Sequence, residues 1–216
     1  QLSAERLRHK YLTQMSADDG ASLDRLTRTI VNQVESMKDM VNAFSDYARS
    51  PATKPRVLDL NSLIADVSAL YGNKVVRTKL EPGLPQVDAD PDRLRQVLHN
   101  LIKNAEEAMD GDTRTEGAHV TLTTSLQTQG QASHVVLEVR DQGPGIPEAI
   151  AATLFEPYVT HKPRGTGLGL AIVKKIVEEH GGLVWAESNP NGGASMMIQL
   201  PLPEAPSLAP RAGVQT

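Results

Sequence analysis

Nine of the sixteen glycines in this 216-residue chain fall between residues 143 and 193. Glycine is placed where a backbone must take positive φ or let another group come close. Two of the clusters, Gly143/Gly145 and Gly165/Gly167/Gly169, stand at a strand or loop end with a helix signal behind them. The middle of the chain is therefore confined to alternating strands and helices joined by tight turns.

The surrounding pattern agrees. Residues 61–71 predict a helix and residues 75–80 a strand. Asp90-Pro91-Asp92 is a helix start, with a capping carboxylate, a proline at the first position and an acid near the positive dipole end. The helix it opens carries Leu94, Leu98, Leu101, Ala105 and Ala108 on its buried face. Residues 120–128 and 134–140 predict strands joined through Gln129-Gly130-Gln131. Residues 168–180 predict a helix closed by Gly181-Gly182. Residues 183–187 and 195–200 then form a last strand pair around Asn189-Pro190-Asn191-Gly192. Helices interleaved with a hairpin-rich sheet imply an α+β chain, a two-layer α/β sandwich rather than a doubly wound parallel sheet. Aromatic residues are only 3% of the chain, so Leu, Val, Ile, Ala and Met must fill the core.

The flanks differ in texture. Residues 1–50 hold no proline and one glycine. Leu23, Leu26, Ile30, Val34, Met37, Val41, Phe44 and Tyr47 advance along them in helical steps. Asp18-Asp19-Gly20 interrupts the pattern, so a turn between two helices is expected there. Such a hairpin needs a partner for its stripe, either its own domain or a second copy. Ser50-Pro51 and Lys54-Pro55 mark a linker over residues 51–56, ahead of a domain over residues 57–201. From Pro201 there are four prolines and no periodicity, which predicts a disordered tail over residues 202–216.

Composition removes several classes of function. A net charge of −4 is the wrong sign for a non-specific nucleic-acid binder. The absence of cysteine excludes disulfides, thiolate zinc and a Cys nucleophile. No apolar stretch approaches the roughly 18 residues that span a bilayer, and residues at the start do not form a signal peptide. A soluble chain without membrane contact is expected.

Three elements can carry chemistry. Asp141-Gln142-Gly143-Pro144-Gly145-Ile146 follows a strand; taken alone, it also reads as a tight turn with a capping Asp. Gly165-Thr166-Gly167-Leu168-Gly169-Leu170 runs into a helix, whose unpaired N–H groups and dipole suit an anion. It lacks both the dinucleotide spacing and the Gly-Lys-Thr/Ser ending of a P-loop. Asn100 and Asn104 share one helix face away from the leucine stripe, either as solvated surface or facing a ligand. An Asn carbonyl is a hard oxygen that suits Mg²⁺.

Taken in order, these pieces resemble a family: the catalytic domains of sensor histidine kinases, within the ATPase group that includes DNA gyrase B and Hsp90. The matching motifs are Asn100-Leu-Ile-Lys-Asn104-Ala, Asp141-x-Gly-x-Gly145 and Leu154-Phe155-Glu156-Pro157-Tyr158. Gly165-Thr-Gly-Leu-Gly-Leu170, and Gly192-Gly193-Ala194-Ser195 with Leu200-Pro201, complete the set. The resemblance covers about residues 57–201 and implies the Bergerat ATP-binding fold, a mixed sheet packed on helices behind a helical hairpin.

The resemblance also implies roles. Asn104 would be the Mg²⁺ ligand, with the ion bridging ATP phosphates. Asp141 would accept a hydrogen bond from the adenine amino group. Gly143 and Gly145 would let the backbone turn beside the base, with Ile146 next to them in the nucleotide site. Thr166, Gly167, Leu168 and Gly169 would present main-chain N–H groups to the phosphates, with Gly165 beside them in the ATP site. Asn100 joins the same site, and Lys103 and Lys162 are candidate phosphate contacts, Lys162 as a mobile catalytic one. Ser195 would support adenine binding.

Hydrolytic members of the group carry a water-activating Glu one turn before the Mg²⁺ Asn. Here Asn100 stands there, which cannot act as a base and fits transfer of the γ-phosphoryl group to an acceptor other than water. Glu107 stands where many relatives have Lys; it is expected to face solvent or pair with a cation. Residues 1–12 resemble the stretch immediately after the phosphoacceptor box in nitrogen-regulation sensor kinases of the NtrY type. That box is expected just upstream of Gln1, because His9, His99, His119, His134, His161 and His180 all lack its context. The chain is thus expected to bind ATP and Mg²⁺ without phosphorylating itself. The expected partners are a second copy through residues 1–50 and a response-regulator receiver domain, with no nucleic acid, and the expected location is cytoplasmic. The alternatives are an ATP-hydrolysing machine of the gyrase or Hsp90 kind, and a nucleotide-binding dimerisation module without kinase activity.

Overall fold

The computed structural model describes residues 17–48, 53–109, 119–130, 132–160, 165–190 and 192–202, together with Arg6. The chain divides into two compact units: Gln1–Ser50 with Glu156–Leu168, and Pro51–Phe155 with Gly169–Thr216.

In the first unit, helix α1 runs unbroken over Ala17–Ala48. The turn expected at Asp18-Asp19-Gly20 is therefore not formed. Those residues are the first helical turn, where Asp18 and Asp19 meet the positive dipole end. One glycine costs a helix only about 1 kcal/mol, which a 32-residue helix absorbs. The earlier helix of the expected hairpin lies outside the described residues, except for helical Arg6. Along α1 the predicted stripe is exposed: Leu26, Ile30, Val34, Met37, Val41 and Phe44, and Met40 beside them, are each 43–66% accessible.

The second unit opens with β1 (Arg56–Leu58), helix α2 (Leu60–Tyr71), β2 (Val76–Lys79) and β3 (Val87–Ala89). Then come helix α3 (Pro91–Met109), the hairpin β4 (Val120–Gln129) and β5 (Ala132–Arg140), and the short helix α4 (Glu148–Ala151). Helix α5 (Gly169–Glu179), β6 (Leu183–Ser188) and β7 (Ala194–Pro201) complete it. β1 and β3 form a small antiparallel pair, and a five-stranded sheet has the order β2-β4-β5-β7-β6. Only β2–β4 is parallel within that sheet, so it is mixed, as expected. The Pro-rich residues from 203 onward lie outside the described residues.

Strand alternation divides the sheet into two faces. Leu122–Val139–Met196 and Leu137–Ile198–Val184 are cross-strand rows on one face. Helices α2, α3 and α5 pack on that face and on one another, burying Leu63, Ile64, Leu98, Leu101, Ile102, Ile176 and Val177 to 2% exposure or less. The other face carries the mostly polar rows Thr121–Arg140–Ser195–Glu187 and Thr123–Glu138–Met197–Trp185. The core is aliphatic, with no aromatic side chain buried among the described residues.

Helices α3 and α5 both have ends that the sequence specifies. Asp90 Oδ1 accepts the N–H groups of Asp92 and Arg93 at 3.0 and 3.3 Å, capping α3. α5 ends in a Schellman turn: Gly182 N–H bonds Val177 O, Gly181 N–H bonds Glu178 O, and Gly181 takes φ 68°.

Candidate functional site

Helices α3 and α5 lie antiparallel, and two contacts fix this. At one end, His180 Nε2 accepts the Asp90 N–H at 2.9 Å, and the Arg93 guanidinium meets Glu179 at 3.2 Å. At the other, a Cβ on Gly169, the first residue of α5, would stand 3.7 Å from Asn104 Nδ2 and 3.9 Å from its Oδ1. The start of α5 therefore opens onto the Asn104 amide. The first N–H groups of a helix have no intrahelical acceptor, so this is a place where an anion gains donors.

One turn earlier on α3, Asn100 Nδ2 is buried without a hydrogen-bond partner among the described residues. A buried amide left unpaired costs about 1–3 kcal/mol, a cost that a ligand oxygen or a water would remove. Lys103 is not drawn to this pair: its ammonium is exposed and lies 4.0 Å from Glu107 Oε1. Glu107, expected to face solvent or meet a cation, thus has Lys103 as its neighbour.

The carboxylate of Asp141 is built differently. It follows β5 directly and is 7% exposed. Its Oδ1 accepts the N–H groups of Gly143 at 2.9 Å and Ala194 at 3.0 Å. Its own N–H donates to Ala194 O. Oδ2 has no hydrogen-bond partner among the described residues. One oxygen thus holds the group in place, and the other is left to accept a donor from outside.

Glycine makes this closure possible. At Gly143 a Cβ would come 3.0 Å from Ala108 O, at the end of α3. Gly193 takes φ 85°, and a Cβ there would collide with Asp141 O. Gly145 takes φ 88°, and Ile146 N–H donates to Ser188 Oγ at 3.2 Å. The Asp141 loop is thereby pinned between the last turn of α3 and the turn before β7. Asn104 stands one helical turn, about 6 Å, before Ala108.

Asn100, Asn104, Asp141, Gly143, Gly145, Ile146 and Gly169 all belong to the second unit. Gly165, Thr166, Gly167 and Leu168 belong to the first. There, Gly167 O accepts the Tyr158 N–H at 2.9 Å, tying together the two ends of the segment between them. A Cβ on Gly167 would stand 2.5 Å from the Tyr158 carbonyl carbon, and Tyr158 itself takes φ 67°. Thr166 Oγ1 accepts the Leu168 N–H at 3.3 Å. Lys162 and His161 lie outside the described residues.

Ser195 is not brought to the carboxylate. Its side chain is on the polar sheet face, where the hydroxyl lies 2.7 Å from Glu138 Oε1 and 3.2 Å from Asn189 Oδ1. The residue that touches Asp141 from β7 is its neighbour Ala194, which sequence reasoning passed over because an alanine advertises no chemistry. Ser188 and Gly193 were also missed as site residues. The Gly192-Gly193 pair directly before a strand was the signal for the latter.

Two further groups are held firmly. Burial pushes the Asp90 carboxyl up, but N–H donors from Lys54, Arg93 and Asp92, with His180 nearby, outweigh it and hold the group below the usual carboxylate range. Burial, and then Glu106, pushes the Tyr71 phenol up, and its hydroxyl meets His99 Nδ1 at 2.7 Å.

Residues 89–204 match the family of histidine kinase-, DNA gyrase B- and HSP90-like ATPases. The nitrogen regulation protein NtrY of Azorhizobium caulinodans is 36% identical over 93% of this chain and 26% of its own length. The sensory histidine kinase/phosphatase NtrB of Rhizobium leguminosarum is 35% identical over 96% of this chain and 56% of its own. The chain thus spans between a quarter and just over half of the length of these relatives. Among solved structures, full-length ShkA in complex with AMPPNP superposes with a TM-score of 0.63 at 25% identity, over 92% of this chain and 45% of that one. The histidine kinase ThkA in complex with the response regulator TrrA gives 0.63 at 26%, over 92% and 57%.

Proposed function

We propose, from the premise that this chain belongs to the histidine kinase-, DNA gyrase B- and HSP90-like ATPase family, that it binds Mg-ATP and supplies the catalytic part of a sensor histidine kinase. The observation that carries this reading is Asp141, a buried carboxylate with one oxygen accepting two main-chain hydrogen bonds and the other left as an acceptor. An exocyclic amino group such as that of adenine is the donor that completes it. Gly143 and Gly145 keep the base edge free of side chains, and Ile146 gives it an apolar neighbour.

The donor set of α3 fits a metal-bound triphosphate. Asn104 offers a neutral amide oxygen to Mg²⁺, and the missing Cβ of Gly169 leaves that amide uncovered. Asn100 presents a buried Nδ2 donor without a partner, which suits a phosphate oxygen rather than the ion. When bound, Mg²⁺ supplies charge neutralisation across the phosphates. The first turn of α5 adds N–H donors. Gly165, Thr166, Gly167 and Leu168 enter through the glycine-rich sequence that leads into α5, and Lys103 and Lys162 as outlying cations; Ser195 enters only from behind the sheet.

No carboxylate occupies the position of Asn100, so the site holds no base for activating water there. The residues orient the γ-phosphoryl group for an incoming nucleophile, and positioning together with charge neutralisation makes up the catalysis. The acceptor is a histidine, from which a receiver-domain Asp takes the phosphoryl group. The catalytic domain spans residues 57–201, and residues 1–50 pair with a second copy through the exposed α1 stripe.

The test is to mix the chain with γ-labelled ATP and a helical hairpin that carries a phosphoacceptor His. Label on that His, with little free phosphate, is the expected result. Steady phosphate release without labelled hairpin would favour the ATP-hydrolysing reading instead.

A further inference from the structure

We infer that Glu138, Ser195 and Asn189 form a positioning device that holds the adenine-reading carboxylate from the far side of the sheet. The inference rests on the reading of Asp141 as the group that accepts the adenine amino donor. Ser195 is 3% exposed on β7, and its hydroxyl lies 2.7 Å from Glu138 Oε1 on β5 and 3.2 Å from the Asn189 amide that comes after β6. A hydroxyl carries one proton, and the shorter contact, to a carboxylate, takes it. The Asn189 amide then serves as donor, with its nitrogen turned to Ser195. That orientation also gives Asn189 Nδ2 the partner it otherwise lacks.

Three strands are thereby tied together at the end where the carboxylate is set. Asp141 follows Glu138 by three residues, and Ala194, which donates to Asp141 Oδ1, directly precedes Ser195. The turn between β6 and β7 closes through Asn189 N–H to Gly193 O at 2.9 Å and Gly192 N–H to Asn189 O at 3.0 Å. Gly193 packs on the Asp141 carbonyl. Among the described residues of that turn, Asn189 alone has a side chain able to hydrogen-bond, and Ser195 is what it holds. Releasing it lets the Ala194 N–H move away from Oδ1, which frees the carboxylate to rotate and misaims Oδ2.

None of the three residues touches the nucleotide, so the test must separate aiming from folding. ADP and the purine ribonucleoside diphosphate that lacks the 6-amino group are titrated by calorimetry into the wild-type chain and the Ser195→Ala and Asn189→Ala variants. Loss of one hydrogen bond predicts about three- to tenfold weaker ADP binding. The analogue, with no amino group to read, should bind the variants as it binds wild type. Glu138→Gln, which keeps an acceptor for the Ser195 hydroxyl, should stay within about twofold of wild type for ADP. Undiminished ADP binding by both alanine variants would overturn the inference, and so would an equal loss of ADP and analogue. A wild-type chain that does not distinguish ADP from the analogue would instead refute the role of Asp141, and the inference would fall with it.

Discussion

Asp141 is a charge taken almost wholly out of water, and only its two N–H donors make that tolerable. The donors come from Gly143 and Ala194, so the backbone around the group matters more than its side-chain neighbours. Gly193→Ala tests this. The substitution combines a φ of 85° with a Cβ that collides with Asp141 O, and it should cost at least about 2 kcal/mol of stability in urea unfolding. A variant that unfolds like wild type would mean that the closure is looser than the geometry indicates. Asn104→Ala should remove the Mg²⁺-dependent part of ADP affinity, about tenfold or 1.4 kcal/mol. Adding EDTA should then weaken wild type but not the variant. Of these residues, Asp141, Gly143 and Asn104 were legible as letters with chemistry. Ala194 and Ser188 were not, because they act through a backbone N–H and through a hydroxyl whose partner is 42 residues away.

At the scale of elements, α3 shows how far local signals reach. Asp90-Pro91-Asp92 predicted a capped start, and the cap is present. What could not be read locally is the rest of the Asp90 environment. Oδ2 takes the Lys54 N–H from 36 residues upstream, and the Asp90 N–H goes to His180, 90 residues downstream. Burial pushes the Asp90 carboxyl up, but the N–H donors of Lys54, Arg93 and Asp92, with His180 nearby, outweigh it and hold the pKa below its value of 3.8 in an unfolded chain. A depressed pKa contributes stability that is fully present above that value and is lost as pH falls through the folded pKa. Urea unfolding should therefore show wild type losing stability below about pH 4 more steeply than Asp90→Asn. Equal slopes for the two would show that Asp90 is not held as described. The helix after Gly20 was legible from its stripe, but Asp18-Asp19-Gly20 misled. Asp and Gly favour turns when nothing else decides, yet the same acids stabilise a helix's first turn. β1 and β3 escaped notice because each is three residues long and finds its partner across more than 25 residues.

The whole molecule combines a glycine-punctuated sandwich with a long helix whose apolar side is exposed. Seven large apolar side chains along α1 is more than a solvated face usually carries. Light scattering over a concentration series should show a dimer, and Val41→Asp, within the exposed stripe, should shift it to monomer. A wild-type monomer at all concentrations would contradict the pairing. No helix among the described residues is long and apolar enough to cross a membrane. The two-layer architecture was legible because helix and strand periods alternate clearly in residues 56–200. The division that assigns Glu156–Leu168 to a different unit from Gly169 was not, since nothing in Gly165-Thr166-Gly167-Leu168-Gly169 marks a boundary. The central claim is that Asp141 reads the base of a magnesium-bound adenine nucleotide. It is tested most directly by calorimetric titration of Mg-ADP into the wild-type chain and the Asp141→Asn variant. A dissociation constant of micromolar order for wild type, weakened about 10- to 150-fold in the variant, is the predicted result; equal affinity in the two would contradict it.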